Sequence, residues 1–193
     1  MKQRSPIRSL IAAASALLSA CGAQAAEFNR LHPEQSSITF VFKQLNVPVE
    51  GSFKRFSGRL SFDPAQPARA KAALDIALAS IDAGSDEAND EVAGKSWFNT
   101  QQFPTARFVA DSIKPLGNNR FEVAGMMRIK GRTHAVSTPA TLHQSGDQAL
   151  FEGSFVLKRA DFGIGEGVWA DFGTVANEVQ IKFRLAASAA GKP

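Results

Sequence analysis

The 193-residue chain has no tyrosine, one cysteine and three histidines, and each scarcity excludes a kind of chemistry. Without tyrosine, no phenol can serve catalysis or recognition. One cysteine cannot close an internal disulfide or build a thiolate zinc cluster. His32, His134 and His143 have no metal-ligand spacing and no partner that marks a general base. A Gly-x-Ser-x-Gly elbow is missing, and no Ser, His and acid grouping stands out. Gly163-x-Gly165-x-Gly167 departs from the G-x-G-x-x-G dinucleotide pattern and has no strand-then-helix unit around it, so it reads as a glycine-rich loop before Trp169. No apolar run reaches the roughly 20 residues of a membrane-spanning helix. The expectation is a non-enzymatic protein without a required cofactor.

Residues 1–25 differ from the rest. Lys2, Arg4 and Arg8 precede a short apolar run over residues 10–18, and small residues follow up to Ala23-Gln24-Ala25. That is the pattern of a secretory signal peptide, which directs the mature chain to the periplasm. Leu18-Ser19-Ala20-Cys21 also resembles a bacterial lipobox. Cys21 is therefore either a lipidation site tethering the protein to a membrane or part of a discarded peptide. Removing Lys2, Arg4 and Arg8 reduces the 22 basic residues to 19 against 18 acidic ones. The basic balance of the precursor thus gives no argument for a nucleic-acid partner. Residues 187–193 are small and read as a disordered tail.

What is present is period-2 alternation, the signature of strands with one apolar face. Ile38, Phe40 and Phe42 share a face. Val49, Gly51 and Phe53 have the opposite parity to Phe56, Gly58, Leu60 and Phe62, which predicts a bulge near Lys54-Arg55. Leu74, Ile76 and Leu78 complete a third strand. Residues 85–98 break the pattern: Ser85 can cap a helix, and Asp86, Glu87, Asp90 and Glu91 complement its dipole. Five further alternating segments follow, the clearest being Val179, Ile181, Phe183 and Leu185. Eight strands and one helix after the third predict an all-β fold, an eight-stranded antiparallel lipocalin-like barrel whose closure removes exposed edges. Such a barrel either fills with side chains or holds one small ligand. An immunoglobulin-like sandwich competes, but its usual Cys pair is absent.

Several segments together carry a family resemblance. They are Ser36-Ser37-Ile38-Thr39-Phe40, Gly51-Ser52-Phe53-Lys54-Arg55-Phe56-Ser57-Gly58, Leu60-Ser61-Phe62-Asp63, Trp97-Phe98-Asn99 with Phe103-Pro104-Thr105-Ala106-Arg107-Phe108, Ile129-Lys130-Gly131-Arg132-Thr133, and Phe155 through Gly165. In this order, over residues 27–186, the chain resembles the YceI family of periplasmic, lipocalin-like barrels that bind polyisoprenoid and related lipids. Two stretches depart from the commoner form, residues 43–51 on the first hairpin and residues 165–171 near the end.

The phenylalanines, fifteen in number and all after residue 27, are the binding candidates, since a prenyl or acyl chain is held by burial worth about 25 cal/mol per Å². A buried tyrosine would need a partner for its hydroxyl, so phenyl rings suit a dry tunnel better. The candidate ligand-binding set is Phe40, Phe42, Phe53, Phe56, Phe108, Met127, Phe151, Phe155 and Phe162. Trp97, Phe98 and Phe103, which the resemblance puts at a barrel mouth by the helix end, and Trp169 join it. The competing role for these side chains is core filling. Gly58, Gly125 and Gly153 either leave room inside or mark strand bends. Arg159 either meets a head group such as a phosphate or quinone carbonyl or pairs with Asp161 to fix a turn. The reading is an exported carrier of an isoprenoid or acyl lipid, such as a polyprenyl chain or quinone. It contacts a membrane as lipid donor or through Cys21, and a homodimer is left open. An accessory redox or hydrolytic enzyme and a structural module with a filled barrel are the alternatives.

Overall fold

A computed structural model describes residues 27–189; the expected signal peptide, with Cys21, and residues 190–193 lie outside them. The elements in chain order are β1 (Phe28–Leu31), β2 (Ser37–Gln44), β3 (Val47–Phe53), β4 (Phe56–Ser61), β5 (Lys71–Ala77), β6 (Ile81–Asp82), α1 (Asp86–Ala93), β7 (Thr105–Gly117), β8 (Arg120–Ile129), β9 (Arg132–Ser145), β10 (Gln148–Lys158) and β11 (Val175–Ala189). One antiparallel sheet runs in the order β4-β5-β7-β8-β9-β10-β11-β2-β3-β6, with β1 added on β11.

This corrects the expected closed eight-stranded barrel with its helix after the third strand. The sheet is an open half-barrel of eleven strands among the described residues, its ladder path has two ends, and α1 follows the sixth strand. The difference arises before Gly84. Lys54-Arg55, the expected irregularity, interrupts the ladder and separates β3 from β4. Opposite it, a 3-10 turn at Leu78–Ser80 separates β5 from β6. Ser80 stabilises the break: its Oγ accepts the Arg55 N–H at 2.9 Å and donates to the Ala77 carbonyl at 2.6 Å. The short β1 had no alternation to announce it.

The second half of the chain follows its turn chemistry. Asn118-Asn119 and Lys130-Gly131 both have positive φ, at 51° and 56° and at 48° and 77°. Two consecutive left-handed residues match the right-handed twist of the strands that they join. The β2–β3 turn uses Leu45-Asn46 in the same way, at 50° and 64°.

Helix α1 starts as its sequence predicts, with Ser85 Oγ accepting the Ala88 N–H at 3.2 Å. The Glu87 carboxyl is held below its usual range by its own backbone N–H and by Ser85. The helix is shorter than residues 85–98, because Gly94 ends it and successive turns carry the chain to Trp97 and Phe98.

β11 also runs further than expected. Residues 187–189, read from their small side chains as tail, are strand: Ala187 pairs with Ala149 and Leu31 and is 0% exposed. Alanine and serine carry little strand signal, and here their small size lets Phe28 and Phe62 pack close. Phe62 lies edge-on to Phe121 and Phe151, each at 5.1 Å between centroids, an arrangement favoured by the ring quadrupoles. A second core cluster, around Leu78, Trp97, Leu157 and Ile164, fills the other end beneath α1.

Candidate functional site

The inward faces line a cavity of about 490 Å³, within the range of small-molecule sites. Period-2 geometry explains its walls, since alternate residues on a strand point to the same side. β2 contributes Ile38, Phe40 and Phe42, and β3 contributes Val49 and Phe53. Phe108 comes from β7, Val123 and Met127 from β8, and Phe151 and Phe155 from β10. Val179, Ile181, Phe183 and Leu185 of β11 complete the wall. α1 and the chain after it supply Ala88, Val92, Trp97 and Phe98, and Trp169 comes from the glycine-rich loop. Of the exposed lining residues, Arg59 lies on β4, while Glu87 and Glu91 lie on α1 and Gln44 ends β2; Trp169 Nε1 donates to Glu91 Oε1 at 2.7 Å.

Eleven of the fourteen expected binding residues line this cavity, and Phe56, Phe103 and Phe162 do not. Phe56 is half-buried in the core, opposite Ile76. Phe103 lies beneath the β8–β9 turn, its ring 3.1 Å from where a Cβ on Gly131 would stand. Phe162 is buried edge-on to His134, with 4.9 Å between ring centroids. The four β11 residues were the main omission, although their alternation is the cleanest in the sequence.

Of the two roles considered for the glycines, leaving free space is not the one seen at Gly153 and Gly125. A Cβ on Gly153 would stand 2.5 Å from the Phe183 ring, and one on Gly125 would stand 2.9 Å from the Phe108 ring. Phenyl rings from neighbouring strands lie over these glycines, so the ring and the missing side chain fit as a pair.

Arg159 lines the cavity, yet neither expected role is open to it. It is 2% exposed, and every guanidinium N–H has a backbone carbonyl. Nε donates to Ala176, Nη1 to Ile164 and Gly165, and Nη2 to Trp169 and Val175, over 2.7–3.1 Å. Five donors for five acceptors exhaust the group, leaving none for a head group. Asp161 is not its partner, and no carboxylate ion-pairs with it among the described residues. Burial lowers its pKa, but a guanidinium retains its charge in proteins. The Trp97 and Phe172 rings flank it at 5.6 and 5.2 Å, a cation–π arrangement. Gly165, at φ +76°, is required here, because a Cβ would come within 2.1 Å of Arg159 Nη1.

The outer side of the same loop is fixed by Lys130. Its Nζ donates to the Gly163 carbonyl at 2.6 Å and to Glu166 at 2.9 Å, and Arg132 reaches Glu166 at 3.2 Å. The hydrogen bond from Lys130, then its charge, holds the Glu166 carboxyl below the usual carboxylate range. Trp97 carries the one unpartnered buried side-chain polar atom among the described residues, its indole N–H. No cluster of metal-ligating side chains occurs among those residues.

Comparison with known proteins agrees with this architecture. BcnA of Burkholderia cenocepacia is similar in structure at a TM-score of 0.80 and 44% identity, over 82% of this chain and 99% of that one. A polyisoprenoid binding domain from Saccharophagus degradans, implicated in plant cell wall breakdown, shares the fold at a TM-score of 0.67 and 17% identity, over 86% and 99% of the two chains. In sequence, a UPF0312 protein of Azotobacter vinelandii is 30% identical over 179 residues, covering 89% of this chain and 91% of its own. A UPF0312 protein of Photorhabdus laumondii is 31% identical over the same length. Residues 30–187 match the YceI-like domain, and the chain belongs to that family.

Proposed function

We propose that this protein is an exported, non-catalytic carrier that holds one isoprenoid lipid, a polyprenyl or quinone chain, in its cavity. The observation that carries the reading is a 490 Å³ space walled by phenyl and aliphatic side chains from most of the sheet. An elongated apolar ligand gains about 25 cal/mol for each Å² it removes from water there. The fold shared with a domain named for polyisoprenoid binding supports the same chemistry, and the open space counters a filled structural module. An enzyme acting on the lipid would need a polar constellation within the apolar wall, and the one buried charged group there, Arg159, has spent all of its donors.

Partition is the mechanism. The tail leaves a membrane for the tunnel, and its polar head stays near Gln44, Glu87 and Glu91. The signal-like segment directs the chain to the periplasm, and acylation at Cys21 would hold it beside the donor bilayer. Mass spectrometry of an organic extract of the mature protein tests this reading. A copurified prenyl lipid supports it, while a lipid-free protein that takes up no added prenyl lipid contradicts it. Intact mass reports on Cys21 in the same experiment.

A further inference from the structure

Residues 43–51 and 165–171, which depart from the commoner family pattern, are far apart in sequence, but the first is bonded to Thr174 and Val175, which directly follow the glycine-rich loop. Leu45 N donates to the Thr174 carbonyl at 2.9 Å, and Gln44 pairs with Val175 on one side and Val47 on the other. Arg159 binds the Trp169 carbonyl at 2.7 Å and lies 5.2 Å from the Phe172 ring. The first hairpin and the glycine-rich loop therefore form one continuous rim. Gln44, Trp169 and Val175 on that rim also line the cavity.

The outward side chains of this rim are unusually apolar. Leu45 is 68% exposed, Val168 87% and Phe172 50%, and Val47 is exposed beside them. Scattered exposed hydrophobics are ordinary, but Leu45 bonds to Thr174, two residues from Phe172, and Val47 pairs with Gln44, so these side chains gather on one edge, with Val168 further along the same loop. Leu45 also sits at φ 50°, where asparagine, aspartate or glycine is the usual choice and a branched side chain is disfavoured. Folding gives no reason to place leucine there, whereas presenting an apolar side chain at the tip of the hairpin does.

We propose that Leu45, Val47, Val168 and Phe172 form the surface by which this protein docks on a lipid bilayer, with the cavity mouth against the membrane. The proposal rests on the reading of the cavity as a lipid site, because continuity between apolar rim and apolar cavity lets a chain pass from one to the other without crossing water. The charges beside the rim select the kind of surface. Glu87 and Glu91 of α1 line the cavity, Asp171 lies within the loop, and Lys43 and Glu50 are exposed on the hairpin. Exposed charges of both signs match a neutral, zwitterionic bilayer rather than an anionic one.

The test is co-flotation of the mature protein with phosphatidylcholine vesicles, using a Cys21→Ser background so that no acyl anchor contributes. The rim variant is Leu45→Asn, Val47→Thr and Val168→Ser. Asparagine suits the left-handed turn and threonine suits a strand, so folding is retained; an unchanged thermal melt verifies this. Partition of the wild type onto vesicles, reduced about tenfold or more in the variant, supports the proposal. Equal partition of the two proteins overturns it, as does a requirement for phosphatidylglycerol. A rim-dependent dimer that ignores vesicles overturns it in favour of a second copy as occupant. Lipid content measured by mass spectrometry on the same samples keeps the two readings separable: lipid-loaded protein that does not float refutes the docking surface alone.

Discussion

Arg159 and Trp169 are joined by a 2.7 Å hydrogen bond from a buried guanidinium to a backbone carbonyl, and this contact sets the loop that bounds one end of the cavity. The remaining four donors of Arg159 fix the same loop and the start of β11. Arg159 is thus a positioning residue for the wall rather than a ligand contact.

Arg159→Lys should be strongly destabilising. An ammonium has three donors and no planar fork, so several of the five carbonyls lose their partner, at a cost of about 3 kcal/mol or more. Urea unfolding measures this. A loss below about 1 kcal/mol would mean that water replaces the guanidinium without penalty.

Trp97 supplies a contrasting pair. Trp97→Phe removes the orphaned N–H along with some packing and should cost less than about 1.5 kcal/mol. Trp97→Ala leaves a cavity under α1 and should cost about 3–5 kcal/mol. The same unfolding assay distinguishes them, and equal losses would show that the indole N–H has a partner in solution.

Gly153→Ala should destabilise by about 1–3 kcal/mol, because the new methyl group meets the Phe183 ring and the Pro139 carbonyl. Pairing it with Phe183→Leu should recover part of the loss, since the smaller side chain vacates the space over residue 153. Additive effects of the two changes, read from thermal melts, would argue that ring and glycine do not act as a pair.

The Glu166 carboxyl gives a pH dependence of known sign. Its folded-state pKa is depressed, first by the Lys130 hydrogen bond. The stabilisation is therefore present above the ordinary carboxylate pKa and is lost as pH falls through the lower folded value. Wild type should be more stable than Glu166→Gln at neutral pH, with the two converging in acid. A gap that widens as pH falls would reverse the assignment.

Strand faces were legible because period-2 alternation reports an apolar interior directly; β11 reads as a one-faced strand from Val179 to Leu185, although nothing in that alternation tells a cavity wall from a filled core. The helix cap at Ser85 and the break at Lys54-Arg55 were also visible as local chemistry. The division of β5 from β6 was not, since it depends on Ser80 Oγ meeting the backbone of Arg55 across the sheet. Arg159 was misread for a similar reason. Its partners are backbone carbonyls of residues 164, 165, 169, 175 and 176, and a carbonyl leaves no mark in the sequence. Phe155 lies within β10 and Phe162 just before the glycine-rich loop, and the 3-10 turn at Arg159–Phe162 takes Phe162 out of the strand alternation that keeps Phe155 on the cavity wall.

The central claim is that the phenyl-lined space holds a prenyl chain, and the most direct measurement is the amount of radiolabelled polyprenyl alcohol retained by wild type and by Phe155→Asp. A carboxylate in an apolar wall opposes a hydrocarbon ligand, because its hydration would be lost on binding. About one molecule per chain for wild type, and little or none for the folded variant, is the predicted result. Equal retention by the two folded proteins would place the lipid elsewhere and contradict the assignment.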